Sequence, residues 1–464
     1  MELQLPDLVI LRIFSFLDVL NLLQAAQVNR QWNRLSENNY LWRMLCLKRW
    51  TFCAFSDEQL GTRTWKQFFY RQVRQEPLMA LAKPGDFTYK EVAGNIGIIK
   101  SIAYLSGSGL SVDGLERSVI CGISSKHKFY AWDVQKGTMI WESPVQSSYI
   151  KLMTTLPQKH LAFTVDMEGT IKVWNCSDGD ALAAYTMSQR CYSMEAFLTK
   201  GGPFLMVGDR EGGIYTFTVP DLTCISSVNK LRYPVELLVC SPNQKWIFAC
   251  GYDEHVFPMV FLTECLLKPS KDDVPLSLCI SSPWCWRACW ALKKTNRIAM
   301  IFRRDSSRRI RFTTFDFTTE CLVGQTVIQA HEIASFILPI HMDAPNHFGI
   351  NDGNMIVFEN GPKLFIFTIN GLLLQEIRAH QLNICHLWVD PVHILTTSMD
   401  NSLHVFMWEK EGRYPYLRNC CQLEQVPGDQ KPSCFPPKAI CDNMSIVCVV
   451  TKCRNSSILV MYSL

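Results

Sequence analysis

Long apolar runs are missing from this sequence. No segment reaches the ~18 uninterrupted apolar residues of a membrane-spanning helix. A secretory leader is not expected either. Glu2 and Asp7 stand where a basic start would be, and no small-residue cleavage site follows. The protein is therefore expected to be intracellular, in cytoplasm or nucleus, and its 20 cysteines to be reduced and mostly buried. The sequons at Asn175, Asn443 and Asn455 need a secretory route and carry no weight here. There is no Cys-x-x-Cys pair, which argues against a zinc ribbon or RING. Cys285 with Cys289, and Cys420 with Cys421, read as packing residues before they read as ligands. Charge of one sign is also scarce. A formal net charge of +4 is too small to imply nucleic acid or a membrane surface.

Signs of catalysis are equally sparse. Gly107-Ser108-Gly109 lacks the strand-loop-helix context and the lysine of a phosphate cradle. No serine sits in a Gly-x-Ser-x-Gly elbow. His341 and His347, and the series His380, His386 and His393, do not converge on one point at strand spacing. We expect no catalytic residues, no cofactor and no metal.

What the chain does have is apolar residues in excess at its start. From Leu5 to Trp42 it reads LPDLVILRIFSFLDVLNLLQAAQVNRQWNRLSENNYLW. Pro6 and Asp7 mark a helix start, because proline in the first turn gives up a donor that has no partner there anyway. Leu8, Leu11 and Phe14, with Ile10 and Leu17, recur at helical spacing. Asp18 marks a stop and restart, and Leu20, Leu22, Leu23 and Ala26 begin a second face. Trp32 lies in a polar run, and Tyr40, Trp42 and Leu45 follow at helical spacing. Three or four short helices in so small a span cannot bury all these side chains alone. A partner, or the helices that follow, should cover the excess.

Leu5-Pro6-Asp7, Ile13-Phe14-Ser15-Phe16-Leu17, Val28-Asn29-Arg30-Gln31-Trp32, Arg34-Leu35 and Leu41-Trp42 together resemble an F-box over its full length, without gaps. Asn29 departs from the pattern, which usually has cysteine after the valine. The resemblance implies binding to the Skp-family adaptor of Skp–cullin–F-box ubiquitin ligases. It places Leu5, Pro6, Ile13, Leu17 and Trp32 at adaptor-contact positions or in the core beneath them.

Lys48 to Glu76 continues helical, with Trp50, Phe52, Phe55, Leu60, Trp65, Phe68 and Phe69 on one side and Arg63, Lys66, Arg71 and Arg74 on the other. Pro77 and Ala82-Lys83-Pro84-Gly85 are expected to end it. From Phe87 the pattern turns to short strands and an internal repeat. Phe129-Tyr-Ala-Trp132-Asp133, Ile171-Lys-Val-Trp174-Asn175 and Ile214-Tyr-Thr-Phe217 place successive aromatics about 42 residues apart. Similar strands recur at Val256–Leu262, Arg309–Phe317, Leu364–Ile369, Leu403–Trp408 and Ile458–Leu464. A tight polar turn precedes each, from Ser125-Lys126-His127 to Asn455-Ser-Ser457. The count is about eight hairpins. Intervals widen after Val260, so insertions lie there and seven is the alternative count.

This half resembles a WD-repeat propeller. The family's blade links a His, a Ser or Thr, an Asp and a Trp by hydrogen bonds. The best match is His380, Ser398, Asp400 and Phe406, with phenylalanine unable to donate the indole bond. His331 is expected to open another blade. The last strand leaves an open edge, and Phe87–Val92 alternates well enough to pair with Ser457–Ser463 and close the ring.

The expected architecture is α+β and multidomain: an F-box at 1–47, a helical linker at 48–85, and an all-β WD-type propeller at 86–464. Taken together, F-box then propeller resembles an F-box/WD-repeat protein. The resemblance implies a non-catalytic substrate receptor, monomeric within a complex that holds the adaptor and, through it, a cullin. A scaffold without ubiquitin transfer is the alternative. The target protein is unnamed by the sequence. One turn is strongly basic, Arg303-Arg304-Asp305-Ser306-Ser307-Arg308-Arg309, and makes Arg304 and Arg308 candidates for an anionic target site at the propeller mouth. A solvated turn is the plainer account of the same run.

Overall fold

A computed structural model describes residues 5–50, 63–92, 94–110, 117–268, 275–304, 309–322, 325–390, 392–409, 414–426, 435–453 and 456–464. Among the described residues six α-helices come first: α1 (Asp7–Phe14), α2 (Val19–Ala25), α3 (Arg30–Ser36), α4 (Asn39–Arg49), α5 (Trp65–Gln75) and the single turn α6 (Leu78–Leu81). Each of α2, α3 and α4 begins where a short polar side chain accepts a bond from an otherwise unpaired helix N–H. Asp18 accepts from Asn21 N at 2.8 Å, Asn29 from Trp32 N at 2.8 Å, and Asn38 from Tyr40 N at 2.9 Å. Asn29, the departure from the F-box pattern, is thus an N-cap. Asp7 ties α1 to α3, accepting from Gln31 and pairing with Arg34, each at 2.7 Å.

One apolar cluster runs through these helices from Ile10 to Phe69. Trp42, 1% exposed, donates to Ser36 O at 2.7 Å and lies 5.5 Å from the rings of both Phe69 and Tyr70. The following helix therefore covers part of the apolar excess. A capping box between Thr64 and Gln67 starts α5. α5 ends at Gln75, just before Pro77, which sits at the N-cap of the single turn α6; that turn stops at Leu81, before Ala82-Lys83-Pro84-Gly85, as expected. Phe52, Phe55 and Leu60 lie outside the described residues.

The rest forms eight four-stranded antiparallel sheets. Seven are sequential meanders. The eighth combines Lys438–Cys441, Ser445–Cys453 and Ser456–Ser463 with Thr88–Val92, which lies on the other side of the sequence. Thr88 pairs with Ser463 and Val92 with Leu459, so the open edge is closed from the start of the propeller as the alternation implies. Tyr462 seals this seam with its ring against Phe87 and Tyr89. The count is eight blades, numbered here in chain order from Ile99.

Every third strand anticipated from alternation is present, from Phe129–Asp133 to Ser456–Ser463. Their aromatics Trp132, Trp174 and Phe217 are buried. The wide intervals hold a short helix, α7 (Thr263–Leu267), and a long hairpin, Arg309–Leu322 against Gln325–Ile337. His331 opens no blade. It sits mid-strand in that hairpin, opposite Asp316, and its Nε2 meets Thr318 Oγ1 at 3.1 Å.

The polar network of blade 7 also differs by one step. His380 reaches Asp400 at 3.2 Å, Ser402 at 2.7 Å and Thr396 at 2.9 Å, and Ser398 is not among its partners. Side chains alternate along a strand, so Thr396 and Ser398 share a face and only register selects between them. Thr396 lies opposite His404, two before Phe406. The same register puts Thr164 beneath Trp174, whose Nε1 donates to Thr164 Oγ1 at 2.8 Å. In blade 1 the matching residue is Gly122, and Trp132 Nε1 has no partner among the described residues.

Candidate functional site

Two surfaces can serve partners, at opposite ends of the molecule. The first is on α1. Ile10 and Phe14 are buried and Leu17 is partly so, at spacings of four and three. Val9, Ile13 and Phe16 repeat that spacing one position earlier and are exposed, with Leu5 continuing the stripe backward. A helix apolar on both sides has more than its own core requires. Leu8, Leu20 and Val28 extend the uncovered apolar area.

The five residues taken from sequence divide here. Leu5, Pro6 and Ile13 are exposed. Leu17 and Trp32 are half-buried, and Trp32 packs edge-on against Phe14 with ring centroids 5.3 Å apart. Val9, Phe16 and Leu20 add to this face, and a second stripe in the 3.6-residue period is the sequence signal for them.

The helices sit on the end of the propeller formed by turns between first and second strands. Gln75 Oε1 accepts from Ser108 Oγ at 2.6 Å in the blade 1 turn. Trp50 and Glu76 cap a chamber of about 380 Å3 at the channel end, bounded by the corresponding turns of several blades. Trp50 Nε1 and Arg49 both bond Glu76. The turns between second and third strands are at the other end and stay clear of the helices.

That free end is the second surface. Inner strands begin there with bulges, at Ile99/Ser101, Ile150/Leu152, Cys191/Ser193, Cys285/Arg287 and Ile384/His386. A bulge re-aims a side chain, and here it does so around the channel mouth. Arg303 lies 3.8 Å over the Trp286 ring, and Arg287 donates to the Tyr252 hydroxyl at 2.5 Å. Lys151 lies 3.7 Å over the Tyr192 ring. Guanidinium groups held against aromatic faces keep their forks ordered for carboxylate or phosphate groups. Of the two arginines picked from sequence, Arg308 lies outside the described residues. Arg304 is described in its backbone alone, which pairs with Arg309. Nearby, burial holds the His386 pKa down at about 3, helped by His347.

A small helical module with an uncovered apolar face, followed by an eight-bladed propeller, is the architecture of an F-box protein with a repeat propeller. The F-box-like family matches residues 3–48. The chain is 53% identical over its full length to human F-box/WD repeat-containing protein 12, covering all of that protein. It is 38% identical over its full length to mouse F-box/WD repeat-containing protein 15, covering 99% of it. Mouse F-box only protein 16 is 35% identical over 72 residues, 16% of this chain and 22% of that one. The chain belongs to the F-box/WD-repeat family. Among solved structures, the computationally designed Ika8 protein matches with a TM-score of 0.53 at 14% identity, covering 78% of this chain and 96% of that one. That likeness bears on the propeller fold alone.

Proposed function

We propose that this protein is the substrate-recognition subunit of a Skp–cullin–F-box ubiquitin ligase. The observation that carries the reading is the exposed stripe Leu5, Val9, Ile13 and Phe16, apolar and uncovered on a helix whose other stripe already fills the core. The adaptor docks on it, with Pro6 at the entry and Leu17 and Trp32 supporting it from beneath. Residues 1–47 are the docking module, 48–85 the connector and 86–464 the target-holding domain. The target lies at the far end of the propeller, where Arg287 and Arg303 are placed for an anionic segment, and Arg304 and Arg308 are its candidate contacts from the same hairpin. The chain's own contribution to ubiquitin transfer is proximity. It acts inside the cell without cofactor or catalytic residue, as one copy per complex.

The test is co-purification from cells. Tagged wild-type protein should bring down a Skp-family adaptor and a cullin, and the Leu5→Ala/Pro6→Ala double variant should bring down neither. Recovery of adaptor without cullin supports a scaffold in place of a ligase subunit. For the target face, the proteins recovered by wild type and by Arg304→Glu/Arg308→Glu are compared, with and without phosphatase. An unchanged set removes that turn from recognition.

A further inference from the structure

The chamber beneath the helices has an unusual wall. Glu76, Glu195, Asp390 and Asp442 all border it, and no lysine or arginine does among its described lining residues. Burial pushes the Glu195 carboxyl up to about 7. Asp442 is fully engaged: one oxygen accepts from Ser108 N and Ser118 Oγ, the other from Met444 N and Ser445 N. Asp390 is engaged differently: its Oδ1 accepts from the backbone N–H groups of Val392 and His393, at 2.8 and 2.6 Å, and its Oδ2 meets two side chains that can themselves ligate a metal.

Those two are His393, whose Nδ1 is 3.2 Å from Asp390 Oδ2, and Cys441, whose Sγ is 3.4 Å from the same oxygen. The three potential donor atoms lie within 4.8 Å of one another. A tetrahedral zinc ion with ordinary bond lengths has oxygen–nitrogen and oxygen–sulfur edges of about 3.3 and ~3.5 Å. The observed separations match both edges. His393 is fully buried. The backbone bonds to Oδ1 fix the carboxylate's orientation, as outer contacts do for metal-binding carboxylates.

We propose that Asp390, His393 and Cys441 form a binding site for a zinc-class divalent cation, with the fourth position open to the acidic chamber. Oxygen, nitrogen and thiolate donors together select a borderline-soft ion over magnesium or calcium. Binding releases the Cys441 proton to solvent and leaves the sulfur as thiolate on the ion. Asp390 follows the inner strand of blade 7, His393 opens that blade's second strand, and Cys441 ends the inner strand of blade 8. The ion would join these neighbouring blades directly under Trp50 and Glu76, and so couple the propeller to its helical connector.

Full-length protein is stripped with chelator and titrated with cobalt(II), a spectroscopic substitute for zinc. One equivalent should give a thiolate-to-cobalt charge-transfer band that zinc then displaces. Cys441→Ser should abolish the band, and His393→Gln should weaken cobalt and zinc affinity by roughly 100-fold or more, in line with disrupted metal sites. Cys448→Ser, another buried cysteine of blade 8, should keep both. Zinc should raise the thermal midpoint of wild type and not that of Cys441→Ser. The proposal is overturned if folded wild type shows no thiolate band at one equivalent, or if the band survives Cys441→Ser. Should either variant fail to fold, the wild-type band and its displacement by zinc decide the question.

Discussion

The double substitution Ile13→Ala/Phe16→Ala is the sharpest test of the helical face. Phe16 is 72% exposed, and Ile13 lies one turn before it on the same stripe. A phenylalanine buries about 150–250 Å2 when covered, so the free part of Phe16 amounts to roughly 100–180 Å2. At ~25 cal/mol per Å2, covering it is worth about 2.5–4.5 kcal/mol as an upper bound. Side-chain ordering and imperfect packing reduce this. A loss of about 2–3 kcal/mol from the pair, or roughly 30- to 150-fold in affinity, is expected. The control is Phe14→Ala, because Phe14 is 2% exposed and belongs to the core. That change should cost about 3–5 kcal/mol of stability in the helical module. Titration calorimetry with a recombinant Skp-family adaptor, beside thermal melting of the same samples, separates the two effects. Ile13→Ala/Phe16→Ala should melt like wild type and bind weakly. Affinity within threefold of wild type would refute the assignment of this stripe to the adaptor.

Three further outcomes follow from particular contacts. Tyr462→Ala removes the buried ring that meets Phe87 and Tyr89 at the closing seam, and should cost about 3–5 kcal/mol in a denaturant melt; a negligible change would show that the seam is not structural. Trp174→Phe leaves Thr164 without its indole donor, whereas Trp132 has no such bond to lose. Trp174→Phe should therefore be the more destabilising by about 1–2 kcal/mol, and equal melts would argue against the Thr164 bond. The third outcome concerns pH. Burial lowers the pKa of His380, holds His404 at about 4 and holds His386 at about 3. Each is then neutral in the folded chain where the unfolded chain would be protonated. Stability should be full above pH ~6.5 and fall progressively as pH drops toward those values. The His393–Asp390 pair opposes this, because Asp390 raises the His393 pKa against the effect of burial. The denaturant midpoint should be lower at pH 5 than at pH 7, and His386→Gln should lessen the difference. A flat profile would contradict the buried-neutral assignment.

Much of this fold is written locally. Alternation in Phe129–Asp133, Ile171–Asn175 and their successors defines third strands, because side chains one apart must face opposite sides. Asp18 and Asn38 stop and restart helices through bonds to amides two or three residues away. The open edge at Ile458–Leu464 and the strand-like Phe87–Val92 could be matched from pattern alone, since a bare edge demands a partner. Other features depend on where distant segments meet. Whether Thr396 or Ser398 receives His380 is a matter of register, which two residues on one face leave undecided until the blade is assembled. Both stripes of α1 are apolar, and only the packing of α2 and α3 settles that Ile10 and Phe14 turn inward while Val9, Ile13 and Phe16 stay free. Asp390 and Cys441 are 51 positions apart, in a sequence whose cysteines show no ligand spacing. Ring closure brings neighbouring inner strands together around the channel. That proximity belongs to the closed ring and to no stretch of sequence within it.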